Sequence, residues 1–312
     1  MEINYIKCHG SGNEFVMIDT IAQQVDESLL SALSKAVCNR ELGIGADGIL
    51  LLVRSDNGLY GMRMFNPDGS EAEMCGNGIR CIARMAEEYI GSSHFDLTSG
   101  GKIYPTARYA PIFGDIPTFG VEIGVNLVSK DFAFISPEQS CFIGSIIEPL
   151  HPTLRWTAIS VGNPHIIAVV DTIDITLLEQ LGEQVKCLPE IFPNGVNISM
   201  VELRDKNKIF VTTFERGAGI TPSCGTAMTS SATAMSLQKL CDYDTEIIVE
   251  NRGGMVRCRC SNNQGLKTTL IGNASYTERG EIDFDGKNFA FRTNSVVEDE
   301  IEAWQSFLAS RE

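Results

Sequence analysis

The sequence predicts an α/β protein of two repeated domains, each gathering its strands around one buried helix that begins at a cysteine. Three observations predict it. Cys75 and Cys224 stand in matching contexts, Met74-Cys75-Gly76-Asn77-Gly78 and Ser223-Cys224-Gly225-Thr226-Ala227, half a chain apart. At the same offset Gly12-Asn13 matches Gly162-Asn163, Gly45 with Asp47 matches Gly195 with Asn197, and Phe65-Asn66 matches Phe214-Glu215, while Gly100-Gly101 and Gly253-Gly254 correspond after a small slip. Each cysteine also precedes a segment that is apolar around most of a helical circumference, the pattern of a helix buried on all sides.

The first half opens with strands at Ile3 to Lys7 and Glu14 to Ile18 around the turn His9-Gly10-Ser11-Gly12-Asn13, followed by a helix at Glu27 to Asn39. Strands at Ile49 to Val53 and Tyr60 to Phe65 lead to Cys75. The helix Gly76 to Ile90 comes next, with Ile79, Ile82, Ala83, Met85, Ala86, Tyr89 and Ile90 as its apolar surface. The second half repeats the plan: Thr157 to Ser160 and Ile166 to Val170 flank Gly162-Asn163-Pro164-His165, Ile209 to Phe214 approaches Cys224, and a helix follows with Ala227, Met228, Ala232, Ala234, Met235, Leu237 and Leu240. A proline-rich stretch between Ala110 and Arg155 marks the joint. The expected division is 1–125, 126–282 and a tail, 283–312, whose Val297, Ile301, Trp304 and Leu308 are spaced for one face of an amphipathic helix that docks on the body without a chemical role.

A chain of 312 residues suits two ordinary domains. Its formal net charge of −15, with no basic cluster, opposes long-range attraction to nucleic acid or an anionic membrane, so neither is expected as a partner. The start reads as a strand and not as an export signal, and no stretch has membrane-spanning length, which points to the cytoplasm. The 10 cysteines are then expected as reduced thiols, most of them core fillers. Only Cys258-Arg259-Cys260 pairs two closely, on one strand face, and no second Cys or His pair completes a zinc set, so no metal is expected.

Two repeated domains related by a pseudo-twofold axis would bring the two thiols to one cleft. A cysteine at a helix N-terminus has its thiolate stabilised by free N–H groups, which is expected to lower its pKa from ~8.5 by a unit or more. The same helix starts hold anions, so Gly76 and Asn77 with Gly225 and Thr226 are candidates to share a substrate carboxylate. Inverting a stereocentre needs a base on one face and an acid of similar strength on the other, and a thiolate with a thiol meets that need.

Lys7-Cys8-His9-Gly10-Ser11-Gly12-Asn13-Glu14-Phe15, Phe65-Asn66-Pro67-Asp68-Gly69-Ser70-Glu71, Cys75-Gly76-Asn77-Gly78-Ile79-Arg80-Cys81, Gly162-Asn163-Pro164-His165, and Glu215-Arg216-Gly217-Ala218-Gly219 with Cys224-Gly225-Thr226 resemble, in order, the motifs of diaminopimelate epimerases. The resemblance implies two α/β (α+β) domains, each a curled, mostly antiparallel sheet around a central helix, with catalysis between them. It also implies a cofactor-free isomerase, a homodimer, interconverting L,L- and meso-diaminopimelate for lysine and peptidoglycan synthesis. Cys75 and Cys224 match the acid-base cysteines, and the positions of His165 and Glu215 support catalysis by setting thiol protonation and orienting the substrate. Asn13, Asn66, Asn163, Asn197, Glu215 and Arg216 match substrate-binding positions, which suits the bidentate fork of Arg and the mixed donor and acceptor capacity of Asn.

The chain departs from the pattern in places. Gly48 stands where some relatives carry a substrate-contacting glutamine, Ile220 and Pro222-Ser223 replace a commoner run, and Met228 is bulkier than usual and expected to reshape the cleft floor. Glu278 occupies a position where several relatives place a dimer-interface tyrosine, so homodimerisation rests on analogy. Two other readings share the thiol pair: a related cofactor-independent racemase of another amino acid, and a thiol redox sensor or binding protein. A phenazine-type isomerase of similar fold lacks that pair.

Overall fold

The computed structural model describes residues 2–136 and 138–310. The chain divides into two compact units, one made of the described residues up to Val121 together with those from Ile271 onward, the other running from Glu122 to Leu270. The expectation ended the second domain at 282, whereas the chain returns to the first unit at Ile271. The reason is long-range pairing: Ser275–Phe284 runs antiparallel to Glu2–Gly10, Ile3 opposite Ile282 and Tyr5 opposite Gly280. The tail is likewise more than one helix. Phe289–Val296 pairs antiparallel with Ser275–Phe284 before the final helix, Glu298–Ala309.

In the first unit, Glu2–Gly10 and Asn13–Asp19 form a hairpin, and Asn13–Asp19 lies parallel to Ile49–Arg54 after a crossover that contains helix α1 (Leu30–Cys38). A single 3₁₀ turn, Glu27–Leu29, replaces the start of the expected helix, with the Asp26 carboxylate accepting from Ser28 N. Ile49–Arg54 and Tyr60–Phe65 form the next hairpin, then come helix α2 (Gly76–Ile90) and the hairpin His94–Ser99 with Lys102–Tyr109. Pairing is mostly antiparallel, with parallel joins only where a helix crosses over. Helix α2 packs against Glu2–Gly10, Asn13–Asp19, Ile49–Arg54 and Tyr60–Phe65, which explains why Gly76 to Ala83 are all buried. The opposite sheet face packs on α1 through Ile3, Val16, Ile18, Leu33, Val37 and Ile49.

The second unit repeats this order. Arg155–Ser160 and Pro164–Val169 form a hairpin, Pro164–Val169 runs parallel to Asn197–Asp205 after helix α3 (Ile175–Val185), and Asn197–Asp205 pairs with Lys208–Glu215. Helix α4 (Gly225–Leu237) follows, then the hairpin Glu246–Asn251 with Gly254–Ser261. Helix α4 is buried on nearly every side, while α3 covers the other face of the sheet over a core that includes Trp156, Ile166, Leu178, Leu181, Phe192 and Phe214. Two similar α/β units, each a mostly antiparallel sheet around a buried helix, are therefore present.

Helix α5 (Glu298–Ala309) docks on the first unit through a buried carboxylate. Glu300 accepts from both Arg84 terminal nitrogens at 2.7 and 2.8 Å and from Tyr276 N at 2.9 Å, and the Arg84 guanidinium lies 3.6 Å from the Tyr276 ring centre. Removing one partner of such a pair strands the other charge, at a cost of about 3–5 kcal/mol. Among the described residues no helix is long and apolar enough to cross a membrane, and no cluster of metal-binding side chains occurs. Cys258 and Cys260 share one buried strand face as expected, and no described cysteine is in a disulfide.

Candidate active site

In the first unit Cys75 is the N-cap of α2. Its backbone is extended (φ −138°, ψ 114°), and the sulfur accepts from Gly78 N at 3.4 Å. The glycines after it permit this compact start: a Cβ on Gly78 would stand 2.8 Å from a Leu50 methyl, and one on Gly10 would stand 2.8 Å from the Asn77 carbonyl oxygen. Asn13 follows a turn in which Ser11 and Gly12 both have positive φ, 54° and 78°. Its amide nitrogen donates to Asp47 Oδ2 at 2.7 Å, and because a carboxylate only accepts, this fixes which way the amide points. Asn13 Oδ1 is thereby turned to Cys75 Sγ at 3.9 Å and to the Asn77 amide at 3.3 Å.

Beneath this group lies the fully buried Arg80. It donates to Gly76 O at 3.0 Å and Ser11 Oγ at 3.1 Å, so one guanidinium ties the helix start to the Ser11–Gly12 turn. Asn66 stands apart in its own tight turn, its side chain donating to Ser70 Oγ at 3.0 Å.

In the second unit Cys224 is the N-cap of α4 with nearly the same backbone angles (φ −130°, ψ 114°). Its surroundings form a relay. The sulfur lies 3.4 Å from Thr226 Oγ1, which accepts from the Asn163 amide at 3.3 Å; Asn163 Oδ1 lies 3.1 Å from His165 Nε2, and that nitrogen lies 3.4 Å from the Asn197 amide. Asn197 Oδ1 accepts from Arg216 N at 2.8 Å, and Arg216 also donates through Nη1 to Asn194 O. Glu215 accepts from Thr221 Oγ1, at the start of a turn where Gly217 and Gly219 take positive φ of 84° and 76°. His165 therefore reaches Cys224 through Asn163 and Thr226.

The expected depression of both thiol pKa values is not what the structure gives. Removal of water raises Cys75 above the ordinary thiol range, and the N–H groups of Gly78 and Asn77 with the Arg80 charge offset only part of that rise. Cys224 is raised by burial first and then by the adjacent Glu215 carboxylate, against weaker help from Thr226 and Ala227 N. The helix-end effect is present in both, but loss of hydration outweighs it. His165 is completely buried and is lowered to about 3, by burial first and by Arg216 second, so it is neutral at pH 7.

Three departures have structural readings. A Cβ on Gly48 would stand 2.9 Å from the Phe65 carbonyl oxygen, so the strand approach leaves no room for the longer side chain. Met228 is buried, its sulfur 3.0 Å from the Asn251 amide, and serves the core of its own unit. Glu278 accepts from the Tyr5 hydroxyl at 2.7 Å.

The diaminopimelate epimerase family profile matches residues 5–105 and 157–277. The chain belongs to the diaminopimelate epimerase family. A diaminopimelate epimerase of Clostridium acetobutylicum is 34% identical, over 99% of this chain and 94% of its own length, and one of Lactiplantibacillus plantarum is 36% identical over 88% of each. The fold agrees with a solved phenazine biosynthesis protein of the PhzF family from Bacillus anthracis, with a TM-score of 0.65 at 17% identity over 91% of this chain and all of that one. Within the epimerase family match lie both cysteine turns and two residues that the sequence reading left without a role, Asp47 and Arg80. The signal for Asp47 was its repeat partner Asn197. Arg80 sits inside the Cys75 to Cys81 motif, but its side-chain direction has no signature in the sequence.

Proposed function

We propose that this protein interconverts L,L- and meso-diaminopimelate by two-base proton transfer that uses the thiols of the two cysteine turns. The observation that supports this reading best is the pair of N-cap cysteines, one in each unit, on the two most buried helices, with backbone angles that agree within a few degrees in ψ and about ten in φ. Cys75 and Cys224 act on opposite faces of the α-carbon, one removing its proton as thiolate and the other delivering a proton as thiol, with roles exchanged when the direction reverses. The α-carboxylate rests at the helix starts of Gly76, Asn77, Gly225 and Thr226, where it disperses the charge that develops on deprotonation without a cofactor.

Arg216 clamps the distal carboxylate, Glu215 accepts from an ammonium group, and Asn13, Asn66, Asn163 and Asn197 orient the polar ends. Neutral His165 acts on Cys224 through the Asn163–Thr226 relay. The product serves lysine and peptidoglycan synthesis, and the family resemblance carries with it a cytoplasmic homodimer, which analytical ultracentrifugation tests. Proton NMR in D₂O tests the activity: the epimerised product acquires deuterium at the α-carbon while recovered substrate carries little, and lysine, lacking the distal carboxylate, is inert. Comparable exchange with lysine or alanine would overturn the substrate assignment in favour of a general racemase.

A further inference from the structure

Helix α5 lies outside the family-matched residues, yet its contacts lead straight to the Asn13 turn. Trp304 packs on the imidazole of His9 with ring centres 4.7 Å apart, and Phe113 and Phe307 pack on Trp304 at 5.2 and 5.5 Å. His9 is 5% exposed, and its Nδ1 accepts from Gly12 N at 3.3 Å. That amide adjoins Asn13, whose Oδ1 faces Cys75. Asn273 closes the same turn from the other side: its Oδ1 accepts from Ser11 N at 2.8 Å, and its amide donates to His9 O at 3.3 Å. The helix is held in register by the Glu300 to Arg84 pair and by Val297 N donating to Thr277 O at 2.9 Å.

We infer that α5 is a positioning brace for the Asn13 turn, with Trp304 holding the His9 ring that fixes the Gly12 amide. The two-residue turn sets Ser11 as well as Gly12 at positive φ, a conformation that costs a non-glycine residue energy and persists only where its surroundings hold it, and the ring packed behind the turn's hydrogen-bond acceptor supplies part of that hold. The turn then presents the Asn13 amide at a fixed distance from Cys75 before substrate arrives, which lowers the ordering cost of binding. The inference rests on the epimerase reading for its kinetic consequence and on geometry alone for its conformational one.

The test uses the full chain with Trp304→Ala, Trp304→Phe and Glu300→Gln. In Trp304→Ala the KM for diaminopimelate rises about tenfold while kcat changes less than about threefold, because a loosened binding group weakens ground state and transition state alike. Trp304→Phe restores KM to within about twofold, and Glu300→Gln gives an intermediate rise. Hydrogen-exchange mass spectrometry of the peptide over residues 9–15 adds a readout independent of any substrate: exchange is faster in Trp304→Ala than in wild type. An unchanged KM and unchanged exchange in a folded Trp304→Ala or Glu300→Gln protein would reduce α5 to a stabilising element and overturn the inference. Faster exchange in a protein whose wild type does not turn over diaminopimelate would keep the brace and reject the epimerase reading instead.

Discussion

The two cysteine turns share a backbone and differ in charge. Cys75 and Cys224 have nearly equal dihedral angles and cap helices with the same place in their units, but Cys75 has a buried guanidinium one turn along its helix, whereas Cys224 has the Glu215 carboxylate beside it. Arg80 pulls the first thiol toward thiolate, and Glu215 holds the second toward thiol. The duplicated framework gives the two sulfurs the same backbone setting, and the charged groups beside them bias the two thiols in opposite directions. A repeat can thus keep its geometry while its electrostatics diverge, since N-cap geometry is set by backbone and glycine positions and charge is set by single side chains.

The largest expected effect breaks the pair. Cys75→Ala and Cys224→Ala each lower epimerisation by roughly 10²–10⁴-fold, measured as conversion of L,L-diaminopimelate by NMR, because each removes a positioned proton-transfer group. Near-normal turnover in either variant excludes the two-base scheme. Next in size is the separation of the two thiols. With iodoacetamide and peptide mapping across pH, Cys75 is labelled at lower pH than Cys224, and Glu215→Gln moves the Cys224 midpoint down by about one pH unit while that of Cys75 stays. A midpoint for Cys224 that does not move shows that burial alone sets its acidity.

A third effect concerns the buried imidazoles. His9 is lowered to about 4, by burial first and by Arg80 second, and His165 to about 3. For groups whose folded pKa is depressed, the unfolded chain takes up protons first, so stability is full above the unfolded value and falls as pH drops from about 6.5 toward the folded values. Each contributes a slope of roughly 1.4 kcal/mol per pH unit across the middle of that window. His165→Gln flattens the dependence of the urea midpoint between pH 6 and pH 4, and an unchanged slope in that variant refutes the assignment. The smallest effect belongs to Asp47→Ala, which frees the Asn13 amide and raises KM by about threefold with kcat little changed. If KM is unaffected, Asp47 holds the strand and not the side chain.

The legible parts of this molecule are those with local causes. Helices α2 and α4 are legible from their small and apolar residues, Ile79, Ile82, Ala83 and Ala86 in the first and Ala227, Met228, Ala232 and Met235 in the second, and the glycines beside Cys75 and Cys224 mark their starts, although the buried Arg80, Ser230 and Ser231 show that neither is apolar all round. Helix α3 carried a readable signal that went unused, with Asp174 at its N-cap and Leu178, Leu181 and Val185 on one face. The return of the chain at Ile271 could not be read, because pairing of Ser275–Phe284 with Glu2–Gly10 is decided by partners far away in sequence. The thiol shifts were misjudged for a similar reason. A helix start is written in the sequence, while the loss of water around a sulfur is not.

The return of the chain at Ile271 also sets an order of events during synthesis. The second unit, Glu122 to Leu270, is continuous and complete once its last residue leaves the ribosome, so it can collapse while the tail is still being made. The first unit cannot. Its strand Glu2–Gly10 must wait on one long edge for Ser275–Phe284, which is made only after the whole of the second unit. Until then its unpaired backbone is exposed to other nascent chains, and the Cys75 turn, emerging early, is finished late.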